Sequence, residues 1–316
     1  MFAFTPVSLN DISSVGIFPF LLSFVATMAR ILLQAVRFYY FVRKFIGDGV
    51  SSFWKIIYAR LAGEFVTQTT PSYVGGEIVR IAFLTKNNVP AGKAAWVTTM
   101  EIIADVFVGT ILAFIAGSHA LLTGAFFIGI LLIYTSKKNI RLPSFSLKLS
   151  KRFVSEEKAL RGINSVNKAL DDLCMMSREN FGSSKSVKIF SIGIGITLLA
   201  FIFQGLSFLV LTHSINSDIS LFASFMATSS STILGTLPIT IGGSGLTELG
   251  LWGYINHLND FSQLGNIISD SQLNVIIAWR IASYHIPLII MWVALMRLAL
   301  GKSYSKPSSH STLVSF

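Results

Sequence analysis

Pro71-Ser72-Tyr73-Val74-Gly75-Gly76-Glu77 interrupts an apolar stretch. Pro238-Ile239-Thr240-Ile241-Gly242-Gly243, with Glu248 just beyond, repeats the pattern P-x-x-x-G-G followed by a carboxylate. Proline and glycine break helices, so each motif divides its segment into two arms. Broken apolar segments at matching places in two halves are the sequence pointer to a binding site in membrane transporters.

The surrounding composition suits that reading. Hydrophobic residues make up 52% of the 316, charged residues only 13%, and mean hydropathy is +0.66. Soluble domains carry roughly 25% charged residues, so an integral membrane protein with one membrane domain over 1–316 is expected. The single Cys174 excludes an internal disulfide or a cysteine-based metal cluster. Residues 1–15 contain no Lys or Arg, so the basic region of a cleavable signal peptide is missing. A net charge of +10 would suggest nucleic acid in a soluble protein; here it is read as the positive-inside rule, and no nucleic-acid partner is expected.

Spanning helices are predicted at 16–42, 95–117, 188–212 and 272–298, with a shorter crossing at 119–134. Segments 53–85 and 219–257 carry the two breaks and are read as re-entrant hairpins; two full, short helices apiece is the alternative. The segment 137–188 holds twelve basic and five acidic residues, whereas 1–15, 213–218 and 258–271 hold no basic residue. The expected path therefore starts outside and keeps loop 135–187 and tail 301–316 cytoplasmic. The unit helix–hairpin–helix occurs twice with opposite orientation, in 16–134 (with its linking helix) and 188–300. The fold class is all-α and polytopic, an inverted repeat of these units. Within the loop, Phe145 to Met176 alternates apolar and charged residues. That pattern suits an amphipathic helix on the membrane surface attracting anionic lipids, or a solvated linker helix.

Ionisable residues at membrane depth are functional candidates. Arg30, Gln34 and Arg37 share one face of the first helix; Arg60, Glu64 and Gln68 form a stripe on the next, where Arg60–Glu64 can be a plain helix salt bridge. A helix restarting at Gly76 offers free N–H groups to a phosphate or carboxylate, and Arg80 adds forked donors; alternatively Glu77 caps that helix and Arg80 snorkels to the surface. Glu101 and Asp105, four apart, share a face and need partners: Arg80, Arg30 or Arg280, or a proton. A proton relay and a static charge network both fit. Gly242, Gly243, Ser244 and Gly245 resemble a phosphate-cradling loop in composition, but the Walker lysine is missing, so no nucleotide site is expected. Ser244 and Thr247 can cap the restarted helix, and Arg280 is the expected counter-charge of Glu248. His285 is read chiefly as a hydrogen-bonded core residue. The Ser-rich run Thr228–Thr232 suits close helix packing or cavity hydrogen bonds, and no nucleophile elbow supports a hydrolase. No catalytic residue, metal or other cofactor is expected.

The succession Arg37, Pro71-x-x-x-Gly75-Gly76-Glu77-x-x-Arg80-x-x-x-Leu84, Glu101, Asp105, Leu237 through Glu248, Arg280 and Pro287 resembles the lysylphosphatidylglycerol synthase transmembrane family over about residues 16–300. The resemblance implies a lipid-translocating membrane domain. In bifunctional members that domain moves aminoacylated phospholipid made by a separate cytoplasmic domain. This chain ends at Phe316 without an aminoacyltransferase, so lysyl transfer is not expected, and one expected N-terminal helix is weak or missing. The expectation is a lipid flippase for an anionic, aminoacylated or polyprenyl-linked lipid. Gly75, Gly76, Glu77, Arg80, Glu101, Asp105, Gly242, Gly243, Ser244, Glu248 and Arg280 are the expected substrate-binding residues. Two alternatives are a membrane partner subunit of a cytoplasmic lipid-modifying enzyme and a membrane enzyme acting on a lipid phosphate.

Overall fold

A computed structural model describes residues 15–70, 75–115, 156–180, 183–214, 219–235, 242–258 and 270–300. The segments expected at 119–134, 135–155 and 301–316, and the motif residues Pro71–Val74 and Pro238–Ile241, lie outside the described residues. The architecture is all-α: α1 (Ile17–Phe45), α2 (Phe53–Thr69), α3 (Gly76–Lys86), α4 (Ala91–Ile115), α5 (Glu156–Asn180), α6 (Ser184–His213), α7 (Leu221–Gly235), α8 (Leu246–Leu258), α9 (Asp270–Arg280), a π-helical turn (Ile281–His285) and α10 (Ile286–Leu300).

Among the described residues, three helical stretches are long and apolar enough to cross a membrane: Ile17–Phe45, Ser184–His213 and Leu273–Leu300. Their outer faces carry Phe18, Val25, Leu198, Ile202, Ile289 and Val293, large apolar side chains exposed as lipid-facing residues are. α1 and α6 form the most extensive helix pair. Small residues let them approach: a Cβ at Gly193 would lie 2.2 Å from the Phe41 ring, the close fit that helix pairs in lipid use.

The sequence accounts for each interruption. α3 starts at Gly76, after Gly75 at φ 121°, a conformation side-chain-bearing residues avoid. It ends in a Schellman motif: Val89 N–H donates to the Leu84 carbonyl (3.1 Å) and Asn88 N–H to that of Thr85 (3.0 Å), with Asn88 left-handed at φ 62°. Pro90 then opens α4, its carbonyl accepting from Ala94 N–H at 3.0 Å. The last expected span, 272–298, is not one uniform helix. Pro287 lacks an N–H and its ring crowds the carbonyl of Ser283. The π-turn absorbs this, with Ile286 N–H donating to Ile281.

α2 packs on α10 through Ile57, Leu61, Met291 and Ala294. It crosses α3 so closely that a Cβ at Gly76 would lie 2.0 Å from Thr67 Oγ1. α7 and α8 make the matching close pair, where a Cβ at Gly250 would lie 2.7 Å from Ser231 Cα. The amphipathic loop helix exists as α5; its C-terminal part packs on protein, while Leu160 and Val166 of its apolar stripe remain exposed. Leu173 and Met176 join the core beside Trp96, and Asp172 sits against Gly92 at the start of α4.

Candidate functional site

A cavity of about 740 Å³ lies among the helices, lined by residues from α1 to the π-helical turn. Its charged wall is Arg30, Arg60, Glu64, Glu77, Arg80, Glu101, Asp105 and Arg280. The i, i+4 and i, i+3 spacings read from the sequence put several of these on common faces. The tertiary fold then brings those faces together.

Glu101 is the hub. It is 1% exposed, and one carboxylate oxygen accepts from Arg37 Nη2 and from Arg60 Nε, each at 3.3 Å. Its other oxygen lies 3.5 Å from Arg80 Nε. Each arginine also holds a second carboxylate. Arg37 grips Asp105 with two bonds, at 2.6 and 2.9 Å, and donates to Thr197 Oγ1 at 2.5 Å. Arg60 donates to Glu64 at 2.5 Å, and Glu64 accepts from Gln68 Nε2 at 3.0 Å. Arg80 donates to Glu77 at 3.0 Å. Buried ions require such pairing, because desolvation costs several kcal/mol per charge.

The two glycine breaks share a local chemistry. Glu77 accepts from Gly75 N–H at 3.0 Å and pairs with Arg80. Glu248 accepts from Gly245 N–H at 2.7 Å and pairs with Arg280 Nε at 2.7 Å. In each case a carboxylate near the restarted helix caps the turn before it and holds the neighbouring guanidinium. Arg280 also donates to the Gly242 carbonyl at 3.2 Å and stacks over Tyr284 at 4.4 Å. The second break reaches the end of α2. Tyr284 donates to the Gln68 carbonyl at 3.0 Å, and a Cβ at Gly242, at φ 60°, would lie 2.2 Å from Tyr284 Oη and 2.6 Å from that carbonyl.

Of the residues expected from sequence, Glu77, Arg80, Glu101, Asp105 and Arg280 line the cavity, and Glu248 stands behind Arg280. Gly75, Gly76, Gly242 and Gly243 shape the breaks that frame it. Arg80 is 4% exposed, so it does not snorkel to a surface. Ser244 is exposed on its turn and does not line the cavity; the turn's Gly245 N–H is taken by Glu248 rather than by a hydroxyl cap. Asp105 pairs with Arg37 instead of Arg80, Arg30 or Arg280, because α1 packs directly on α4. His285 lies outside the cavity, its Nδ1 at 3.2 Å from the Arg280 carbonyl.

Thr27, Gln204, Ser207, Thr232, Thr247 and Ser283 also line the cavity and formed no part of the expected site. Thr232 belongs to the run read for packing or cavity hydrogen bonds and Thr247 is read as a cap; the others carry no local signal, since hydroxyls in apolar helices commonly bond back within their own turn. Thr232 does so, donating to Thr228 O at 2.8 Å while accepting from Gln204 at 3.0 Å.

The family model described as Lysylphosphatidylglycerol synthase TM region matches residues 8–290 of the chain. No curated protein matches it.

Proposed function

The chain belongs to the lysylphosphatidylglycerol synthase TM region family, whose description ties it to membrane lipid chemistry, and on that premise we propose that it is a lipid flippase. It moves a lipid headgroup bearing phosphate through the polar cavity while the acyl chains stay in the bilayer. One observation carries the reading: an arginine- and carboxylate-lined cavity of about 740 Å³ lies among helices interrupted at Gly75–Gly76 and at Gly242–Gly243, where Gly242 packs on the end of α2. Charge at membrane depth is costly and marks substrate pathways, and midplane breaks in opposed repeats frame transporter sites. Arg80 and Arg280 take the phosphate; Glu77, Glu101, Asp105 and Glu248 balance them or receive a proton or a basic headgroup group.

Helix lengths support re-entrant hairpins. α2, α3, α7 and α8 hold 17, 11, 15 and 13 residues. They reach about 25, 16, 22 and 20 Å at ~1.5 Å per residue, each short of a ~30 Å hydrocarbon core. The paired Glu77–Arg80 and Glu248–Arg280 chemistry supports two inverted halves related through the α1–α6 pair. Loop 135–187 and the C-terminus are then cytoplasmic, and transport is chemically passive or coupled to protons or membrane potential.

The test is headgroup accessibility in proteoliposomes, with fluorescent phosphatidylglycerol, its lysyl ester and a polyprenyl phosphate. Faster exchange of at least one lipid, lost in Arg280→Ala and Glu248→Gln, is expected. Folded protein that moves none of them faster than empty liposomes overturns the reading.

A further inference from the structure

We propose that the π-helical turn Ile281–His285 is a hinge between two separately packed bodies, and that Tyr284 is the latch that holds them together at the cavity wall. The use of such a hinge rests on the reading of the cavity as a headgroup site; its existence is tested without transport.

The last apolar span changes neighbours at this turn. Before it, Val275, Ile276, Ala278 and Trp279 of α9 share a core with Phe208 and Leu211 of α6 and Leu251 of α8. After it, Met291 and Ala294 of α10 share a different core with Ile57 and Leu61 of α2. Polar contacts divide the same way: Trp279 Nε1 donates to Ser207 Oγ at 2.9 Å, and Arg297 to Tyr58 Oη at 3.1 Å. α1 runs past both cores, with Phe20 in one and Ile31 in the other, and keeps the two bodies side by side. The joint itself is soft. A π-turn within a helix is rare, is one of the few places where a long helix bends, and recurs at functional sites. Pro287, just beyond it, supplies no N–H to brace it.

The latch sits on this joint. Tyr284 Oη donates to the Gln68 carbonyl at 3.0 Å. That carbonyl is one of the last four of α2, which an α-helix leaves to outside donors. Gly242 packs against the hydroxyl and the carbonyl together, leaving no room for a Cβ. Arg280 completes the assembly: Nη2 donates to the Gly242 carbonyl at 3.2 Å, and the guanidinium lies 4.4 Å from the Tyr284 ring centre. Arg280, Tyr284 and Gln68 all line the cavity. A ligand phosphate that draws Arg280 toward itself therefore removes two contacts that hold the latch, the stack on Tyr284 and the bond to Gly242. Binding then favours the open joint, in which α9 and α8 tilt away from α2 and α10. A ligand shifts such an equilibrium by its difference in affinity for the two states, and Arg280 supplies that difference.

The experiment measures the separation of the two bodies in the full chain, held in lipid nanodiscs, by pulsed electron paramagnetic resonance. Spin labels go on Lys55→Cys of α2 and Gly253→Cys of α8. Lys55 is exposed, a Cβ at Gly253 meets nothing within 4 Å, and the native Cys174 is buried. A dominant distance with a minor second one is expected. Tyr284→Phe raises the ratio of second to first about fivefold, as loss of one net hydrogen bond allows. Pro287→Ala returns an N–H to the joint and lowers the ratio. Opposite signs from two conservative changes are what a latched hinge requires and what general loosening does not produce. A single, unchanged distance in all three folded proteins overturns the proposal. One distance that merely broadens in both variants overturns it as well. Where neither variant folds, the labelled pair with its joint unaltered decides: the second distance grows when phosphatidylglycerol, its lysyl ester or the polyprenyl phosphate is added, whereas one fixed distance with lipid shown to be bound overturns the hinge. A ratio that responds to Tyr284→Phe and to none of those lipids sustains the hinge and overturns its coupling to a headgroup.

Discussion

Glu101→Gln is the most informative single change, because the substitution keeps shape and removes only the charge. The carboxylate sits 3.3 Å from Arg37, 3.3 Å from Arg60 and 3.5 Å from Arg80. Each such contact carries a gross Coulomb attraction of roughly 5 kcal/mol at an effective dielectric of ~20. The net loss is smaller. Arg37, Arg60 and Arg80 keep Asp105, Glu64 and Glu77 respectively, and the glutamine amide is cheaper to bury than a carboxylate. Removing one partner from a buried ion pair generally costs about 3–5 kcal/mol; the retained partners place this case near the lower end, at about 3 kcal/mol. The assay is reversible unfolding of purified protein in mixed micelles under increasing denaturing detergent. A cycle with Arg37→Met isolates the direct term, expected at about 1–3 kcal/mol for groups in one network. A second readout separates this from general damage. The neutral variant leaves three clustered guanidiniums with one fewer negative neighbour, so binding of a lipid phosphate tightens while stability falls. A variant within about 0.5 kcal/mol of the parent, or one with no coupling to Arg37, would refute the hub assignment.

Four further outcomes follow from named contacts. Gly76→Ala forces a Cβ to 2.0 Å from Thr67 Oγ1 and 2.4 Å from the Gly63 carbonyl; a loss of about 3 kcal/mol is expected, and a shift in melting temperature below 1 °C would contradict the close α2–α3 crossing. Gly242→Ala meets Tyr284 Oη and the Gln68 carbonyl, so Tyr284→Phe should recover part of its lost stability; a simple sum of the two effects would argue that Gly242 does not pack against Tyr284. Tyr284→Phe alone removes one hydrogen bond and is expected to cost about 1 kcal/mol, read as a melting shift. Cys174 is buried where α5 docks near Gly92, so its thiol resists native labelling. Gly92→Leu should raise that labelling rate at least about tenfold by displacing the helix; rapid labelling of the parent protein would dismiss the docked position.

What the sequence made legible is what chain-local chemistry specifies. Two successive glycines after a proline set the restart at Gly76, and α3 begins there. Four-residue spacing put Glu101 with Asp105 and Arg60 with Glu64 on shared faces, and the pairing of Arg280 with Glu248 followed from the scarcity of charge in apolar sequence. The partner of Asp105 was beyond that reach. Arg37 lies 68 positions away, and choosing it over Arg30, Arg80 or Arg280 requires knowing how α1 packs on α4. Ser244 shows the opposite error: a residue type suited to a cap was displaced by the longer reach of Glu248. The π-turn had a visible signal in Pro287, whose missing N–H within an apolar helix requires local accommodation.

The pairing of Arg37, Arg60, Arg80 and Arg280 with carboxylates explains how this much charge is held among apolar helices. It also sets a condition on the flippase proposed above. A phosphate that binds Arg80 has to compete with Glu77 and Glu101, and one that binds Arg280 has to compete with Glu248. A carboxylate released in that exchange becomes an unpaired buried anion, which is costly unless a cation accompanies it. An anionic headgroup should therefore enter with a proton, a metal cation or a cationic group of its own. The alternative is that its charge is left to the field of the remaining arginines. Measuring proton uptake during titration of the folded protein with phosphatidylglycerol, in two buffers of different ionisation enthalpy, distinguishes these routes. Uptake that vanishes in Glu248→Gln identifies Glu248 as the displaced partner, with Arg280 receiving the phosphate. Tight binding with no proton uptake, in the absence of metal cations, would mean that the ion pairs stay closed and that the phosphate is held by other groups in the cavity.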